Sequence, residues 1–598
     1  MFTTKLITMK KIYIIMLACL VISSLSLSSC KKDNFLNRLP VSDLTQQNFF
    51  ANANDLNTYC NGFYPTLPGV TSVALDDQQS DNYENNPYDR IVAGQLTVPT
   101  SAADNNNNQP KWQWDFLRQV NYFFENYQKA NAPQAVKNHY VGVARFFRAW
   151  FYFRMVKAYG DVPWYGKTIQ PNDVASLNKA RDPRQLVMDS VMADLNFAVN
   201  NINPTGPSGT ITKWAALAFQ ARVALHEGTF RKYHGIAGWE PFLQTAVTAA
   251  QAVMQSGNFK LYTTGNPNKD YLNLFLFYAP SDPQNTEVLL GYYYSNTLHF
   301  TSALDGNIAA YGHSLTKGLM DTYLTKGGTP FTALPGYNTQ MIKDELTNRD
   351  PRLTQTVLAP AITYGNMIGA KRLGTTPTGY QQIKYYDPAT PTYNTNYNAG
   401  IILRYGEMLL DYAEAKAELT SSGIGSFSQG DLDMSVNLLR DRVGMPHLLM
   451  SAPLDPVLAA TYPNVSGSIQ NVLLEIRRER RVELACEGFR YDDLMRWKSG
   501  PLLAQPFLGM YFPGLGTYDL DGDGQPDVAL VTAKPANPVT NVSYFVIGKD
   551  IYLSNGNSGN VVVNPTLVKT FSDPKNYYFP IPATELLLNK NLTQNPGW

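Results

Sequence analysis

Apolar residues recur at spacings of three and four through most of the first half of the chain, and again between 401 and 497. That period is the mark of one-sided helices. It predicts a first helix over 43–64, capped by Ser42 or Asp43, then helices near 111–130, 133–159, 183–201, 212–232 and 241–256. In the 133–159 segment Val143, Phe146, Phe147, Trp150, Phe151 and Arg154 follow the helical step, and Gly160-Asp161-Val162-Pro163 stops it. A second group is predicted at 402–419, 431–442 and 467–486, with another helix from about 489. Between the groups, over 258–400, short apolar stretches (288–294 and 383–386) alternate with Gly, Asn, Pro and Thr. That pattern predicts loops, a few short strands and one helix near 315–325. Residues 503–580 share this loop-rich character, and the two blocks are expected to pack together on the helices.

The expected fold is mainly α. It is an irregular helical solenoid of tetratricopeptide-like pairs without a strict repeat, carrying a loop-rich subdomain with a few short strands. The expected division is a signal at 1–29, an N-terminal helical region at 30–257 and a loop-rich ligand-binding subdomain at 258–400. C-terminal core helices at 401–500 and a loop-rich region at 501–598 complete it.

The N-terminal segment changes the picture. Lys10 and Lys11 precede an apolar run, Ile12 to Leu25, too short to span a bilayer comfortably. Leu27-Ser28-Ser29-Cys30 then places small residues before a cysteine. This order reads as a lipoprotein-type secretory signal, with Cys30 as the acylated residue. Several acyl chains would hold the chain firmly to a membrane. A net charge of +1 with 16% charged residues gives no case for nucleic acid. Cys60 and Cys486 lie in helical patterns among apolar neighbours and read as buried free thiols.

Catalytic chemistry is thin. His226-Glu227 is followed by His234, eight residues from His226, whereas a zincin needs its two histidines one turn apart. Neither a GxSxG elbow nor a phosphate-binding Gly-rich loop occurs. Over 473–484, Leu473, Ile476, Arg480 and Leu484 share a stripe, so Arg480 needs carboxylate partners. Glu479, Glu483, Glu407, Glu414 and Asp493 are the candidates. One metal constellation stands out: Asp519, Asp521 and Asp523 occupy positions 1, 3 and 5 of an EF-hand-like loop. Gly524 is at the turn, Gln525 at 7 and Asp527 at 9. Oxygen ligands at this spacing suit structural Ca2+, although Leu530 stands where a bidentate Glu is usual.

Several motifs resemble the SusD/RagB family of Bacteroidetes outer-membrane lipoproteins. They are Arg145-Phe146-Phe147-Arg148-Ala149-Trp150-Phe151-Tyr152, Asn348-Arg349-Asp350-Pro351-Arg352-Leu353, and Leu403-Arg404-Tyr405-Gly406-Glu407 leading to Tyr412-Ala413-Glu414-Ala415. The strongest is Glu475 to Leu484, continued by Glu487-Gly488-Phe489-Arg490-Tyr491-Asp492-Asp493-Leu494. The tail Asn591 to Trp598 closes the series, with Trp598 expected to plug the C-terminus against the body. The resemblance spans the chain. It implies a surface-exposed, non-catalytic lid that captures glycan, or peptide in some members, for a SusC-like TonB-dependent transporter. A scaffold that only docks proteins is the further alternative.

The resemblance names no sugar-contacting residue, because the shared motifs lie outside the variable loops. Sugar recognition needs flat aromatic faces with polar groups beside them. The loop over 76–114 offers Asp81, Asn82, Tyr83, Tyr88, Arg90 and Trp112. The loop over 291–313 offers Tyr292, Tyr293, Tyr294, Asn296, His299 and Tyr311, and Tyr385, Tyr386, Tyr393 and Tyr397 form a third set in 385–398. Trp114 is expected in the core ahead of Trp112.

Overall fold

The computed structural model describes residues 49–104, 111–310 and 313–598. Cys30, Tyr311, Ser42 and Asp43 lie outside these residues. The described part of the first predicted helix is α1 (Ala53–Asn61). Asn52 starts it: its side chain accepts hydrogen bonds from the Asn54 and Asp55 N–H groups, while Asp55 caps back.

The long helices form where the period places them. A six-residue helix, α2 (Val70–Leu75), stands where none is predicted; the predicted ones are α3 (Asp115–Asn126), α4 (Gln134–Tyr159), α5 (Arg184–Asn201), α6 (Lys213–His234), α7 (Glu240–Met254), α8 (Tyr405–Ser421), α9 (Gln470–Glu483) and the short α10 (Arg490–Arg496). Helix α4 packs on α5, α6 on α7, α7 on α8, α8 on α9, and α10 returns to α6. The second helical group is therefore laid onto the first. Phe146, Phe219, Leu409, Leu473 and Trp497 share one buried cluster.

The loop-rich blocks are stitched by short strands. They are β1 (Tyr83–Asn85), β2 (Val288–Tyr292), β3 (His313–Leu315), β4 (Gly400–Arg404), β5 (Leu508–Phe512), β6 (Gly516–Tyr518), β7 (Val528–Val531), β8 (Ser543–Val546) and β9 (Gly559–Val562). Strand β1 pairs antiparallel with β3, Tyr83 opposite Leu315. Strand β2 pairs antiparallel with β4, and β5 with β9. Strand β7 lies between β6 and a parallel β8. The two blocks do pack together: Leu315, Tyr380, Met510, Phe512 and Leu530 belong to one cluster.

Several expectations are corrected. The predicted 402–419 helix begins only at Tyr405, because Gly400–Arg404 is spent pairing with β2. The 431–442 helix is two pieces, Gln429–Asp433 and Val436–Arg442. Residues 383–386 form no strand; Tyr385 and Tyr386 are fully buried. Residues 508–562 hold five short strands where loop was expected.

The shared motifs converge on a buried ion network. Arg480 is bonded to Asp493 (2.9 Å) and Asp411 (2.8 Å), with Glu414 at 3.8 Å. Asp411 was not among the expected partners. Glu483 instead takes hydrogen bonds from Arg352 (3.0 Å), Arg404 (2.9 Å) and Arg442 (2.6 Å). Burial alone would raise the Glu483 pKa, but these three guanidinium groups hold it well below the usual carboxylate range. Glu479 joins Arg352 to Arg440. These charges hold helices and loops together. Cys60 and Cys486 are free and buried. Trp598 donates its indole N–H to the Lys575 and Tyr578 carbonyls, tying down the C-terminus.

Candidate functional site

Strand β2 runs on past Tyr292 as extended chain, and alternation along it separates three tyrosines. Tyr293 turns inward and donates to Asn285 Oδ1 at 2.6 Å. Tyr292 and Tyr294 share the other face, ring centroids 5.3 Å apart. The chain then folds back: Ser295 and Phe300 exchange both backbone hydrogen bonds at 2.9 Å. This brings the Phe300 ring onto Tyr294, 5.0 Å away and 22° from parallel. The turn between them carries exposed Asn296, Leu298 and His299.

A second loop is fixed beside the first. Ser302 N–H donates to the Asn396 carbonyl at 2.7 Å, and the Thr301 hydroxyl donates to the Asn394 carbonyl at 2.8 Å. Asp305 organises this loop, accepting from Asp387 N–H (2.9 Å), the Thr390 hydroxyl (2.9 Å) and Asn396 Nδ2 (2.8 Å). Burial pushes the Asp305 carboxyl up to about 6, and those donors restrain the rise. Tyr393 lies over Gly306, where a Cβ would fall 2.4 Å from its ring. Phe300 is 46% exposed, Tyr393 54% and Leu298 78%. Two loops joined by these hydrogen bonds thus expose aromatic and apolar side chains beside amides and hydroxyls. Such surface on a folded protein marks a place of contact.

The structure thus brings Tyr292, Tyr294 and Asn296 together and adds Phe300, Leu298 and Tyr393. Phe300 is not among the sequence candidates; its signal in the sequence is an aromatic four residues beyond Asn296 in the same polar loop.

The 76–114 candidates are dispersed, and four of them are corrected. Tyr83 is 1% exposed, with its hydroxyl on Gln382 and Cys486. Asn82 is buried between Arg481 and Asp77. Asp81 accepts from Arg490 at 2.6 and 2.8 Å and pairs with Arg481 at 3.2 Å. Burial raises its pKa, but the two guanidinium groups prevail and lower it to about 2. Trp112 is 4% exposed, edge-on to Trp114 and Tyr159, and is more deeply buried than Trp114. Arg90 is exposed but braces its own loop through the Gln95 carbonyl and Thr97. From the third set Tyr385 and Tyr386 are core, and Tyr397 leans on Tyr278 at 4.6 Å.

The acidic loop is a separate feature. Asp519, Asp521 and Asp527 place carboxylate oxygens within 4.8 Å of one another. Gly522 and Gly524 have φ of +87° and +86°, a conformation that L side chains resist. Asp519 accepts from their N–H groups, and Leu520 N–H donates to Asp527. Asp523 stands outside the triad, its carboxylate taken by Gln525 N–H at 2.7 Å.

The model of the SusD family matches residues 283–598, more than half of the sequence. The chain belongs to the SusD family. A second model, described as starch-binding associating with outer membrane, matches residues 34–225. Among curated SusD relatives, "SusD-like protein P38" of Formosa agariphila is 23% identical over 535 residues, covering 84% of this chain and 95% of its own. A solved SusD-like carbohydrate-binding protein of Bacteroides fragilis superposes with a TM-score of 0.66 at 21% identity, over 91% of this chain and all of its own. A laminarin-binding SusD-like protein superposes with a TM-score of 0.53 at 16% identity, over 92% of this chain and all of its own. The mostly helical body with short strands and no closed sheet is thus a SusD fold among the described residues. The second match associates this SusD-family chain with the outer membrane. No described helix is long and apolar enough to cross a membrane.

Proposed function

We propose that this protein is a non-catalytic, lipid-anchored glycan-binding protein on the outer surface of the outer membrane. It captures oligosaccharide and passes it to a SusC-like TonB-dependent transporter. The observation that carries this reading is the open face of Tyr292, Tyr294 and Phe300, with Asn296 and Tyr393 at its edge. Flat rings take the CH side of a pyranose, and the amides and hydroxyls take its own hydroxyls. The carbohydrate-binding and laminarin-binding relatives support the ligand class. The charge distribution supports binding without turnover: many of the conspicuous carboxylates are committed to buried arginines. The acidic loop would hold Ca2+ through Asp519, Asp521 and Asp527, with a structural role.

Affinity gels and calorimetry of residues 31–598 against a glycan panel, with an assay for released sugar, test the proposal. Saturable binding without release is expected. Sugar release would overturn the non-catalytic reading, and binding of peptides alone would replace the ligand class.

A further inference from the structure

A cavity of about 610 Å³ opens where α4, α6 and α10 diverge beneath the 66–78 segment. Its volume falls within the range of about 300–1,000 Å³ usual for small-molecule sites. Trp150, Phe153, Arg154 and Lys157 reach it from one face of α4, and Phe219, Arg222 and His226 from one face of α6. The turn Gly69–Val70 separates it from the aromatic face, since Tyr294 Oη accepts the Val70 N–H at 3.1 Å.

Most charges around the cavity are neutralised within the protein. Arg222 holds Glu407 at 2.5 Å, Arg496 holds Glu414 at 2.5 Å, Arg404 holds Glu487 at 2.7 Å, and Lys157 pairs with Asp492. Two are not. Arg154 and Asp76 both reach solvent, and among the described residues neither side chain has a hydrogen-bond or salt-bridge partner. Their fields reach each other across the space. Two further lining residues carry polar atoms with no partner: buried Trp150 Nε1 and His226 Nδ1. Unpartnered polar groups in a native interior call for an explanation. A free guanidinium, a free carboxyl and aromatic walls around one space are a built arrangement.

We propose that this cavity binds a small hydroxylated carboxylate, of the chemical class of a uronic acid unit. Its carboxylate takes the two-pronged hydrogen bonds of Arg154. Asp76 takes hydroxyl groups. The surrounding protein, and then the Asp492 charge, push the Asp76 carboxyl up from its ordinary value, and solvent in the cavity moderates that rise. Trp150, Phe153 and Phe489 supply flat walls for the ring. The site is separate from the aromatic face and does not rest on the glycan reading of that face.

The test is calorimetry and ligand-observed NMR on residues 31–598 with glucuronate and galacturonate. Glucose tests the hydroxyls alone and acetate the carboxylate alone. Saturable uronate binding is expected, at least tenfold stronger than either control. R154M should weaken it at least tenfold, while a Phe300→Ala variant should leave it unchanged. R154K keeps the charge but lacks the fork, and supplies the same comparison if R154M does not fold: an intermediate loss is expected. Equal binding of acetate would reduce the site to a general carboxylate pocket and overturn the sugar assignment. Absence of uronate binding, or binding indifferent to both Arg154 changes, would overturn the proposal.

Discussion

The arginine-rich interior and the 291–300 loop use polar and aromatic groups in opposite ways. Around α9, each guanidinium of Arg352, Arg404, Arg442 and Arg480 is buried against two or more carboxylates. On the loop Phe300, and on the loop fixed beside it Tyr393, leave about half their surface open. The first arrangement fixes distant segments in place, because a buried charge without its partner is costly. The second is ready for a partner from solution. Within one chain, the charged residues of the most recognisable motifs are therefore scaffold, and under the proposed function glycan contact falls to loop residues that no shared motif contains.

The sharpest way to break this contrast is at Glu483. Glu483→Ala strands three buried guanidinium groups, and a loss of about 3–5 kcal/mol is expected in denaturant unfolding. A loss under about 1 kcal/mol would mean that water or a neighbouring carboxylate replaces it. The aromatic face should respond in the reverse manner. Phe300→Ala is expected to weaken glycan binding by about 1–3 kcal/mol in calorimetry, the scale of one buried aromatic contact, with the melting temperature held. A drop in melting temperature with unchanged affinity would move Phe300 into the scaffold class.

The acidic loop offers a smaller effect. At a tenfold excess over its Kd, calcium should add about 1.4 kcal/mol of stability, and Asp521→Asn should abolish that gain in thermal melts. Asp76 gives the smallest, because its side chain meets solvent and screening cuts the effect down. Its native pKa, about 7, lies above the ordinary carboxylate value, so the folded state binds the proton more tightly than the unfolded chain. That contribution is complete below about pH 4 and is lost as pH rises through 7. Asp76→Asn should therefore be more stable than the parent at pH 8 and equal to it at pH 4, read by melts at the two values. Equal stability at both would mean that cavity water screens the carboxyl.

The sequence was most legible where structure is local. Helices α4 to α7 announce themselves through spacings of three and four, and Arg480 declared its need for carboxylates from its place in an apolar stripe. What failed was set by distant pairing. Tyr83, Asn82 and Asp81 look like an open polar loop, but β1 is claimed by β3 some 230 residues later, and Arg481 and Arg490 arrive from further still. Trp112 sits beside a loop of asparagines in sequence and against Tyr159 in space. The strands between 508 and 562 are three to five residues long, too short for alternation to speak above the Gly and Pro around them. Tyr292 and Tyr294 were legible because alternation within one strand suffices to place them on a common face.

The two buried cysteines among the described residues turn this molecule into its own clock. Cys60 lies in the helical cluster and Cys486 in the cluster of the strand-stitched blocks. Burial pushes the Cys60 thiol well up and the Cys486 thiol to about 12, so neither offers thiolate to an alkylating reagent while the fold holds. Each becomes reactive only when its own neighbourhood opens. Timed alkylation read by peptide mass would thus record the opening of the two halves separately, without a label being introduced. Matching rates would show that helices and loops come apart as a single cooperative unit.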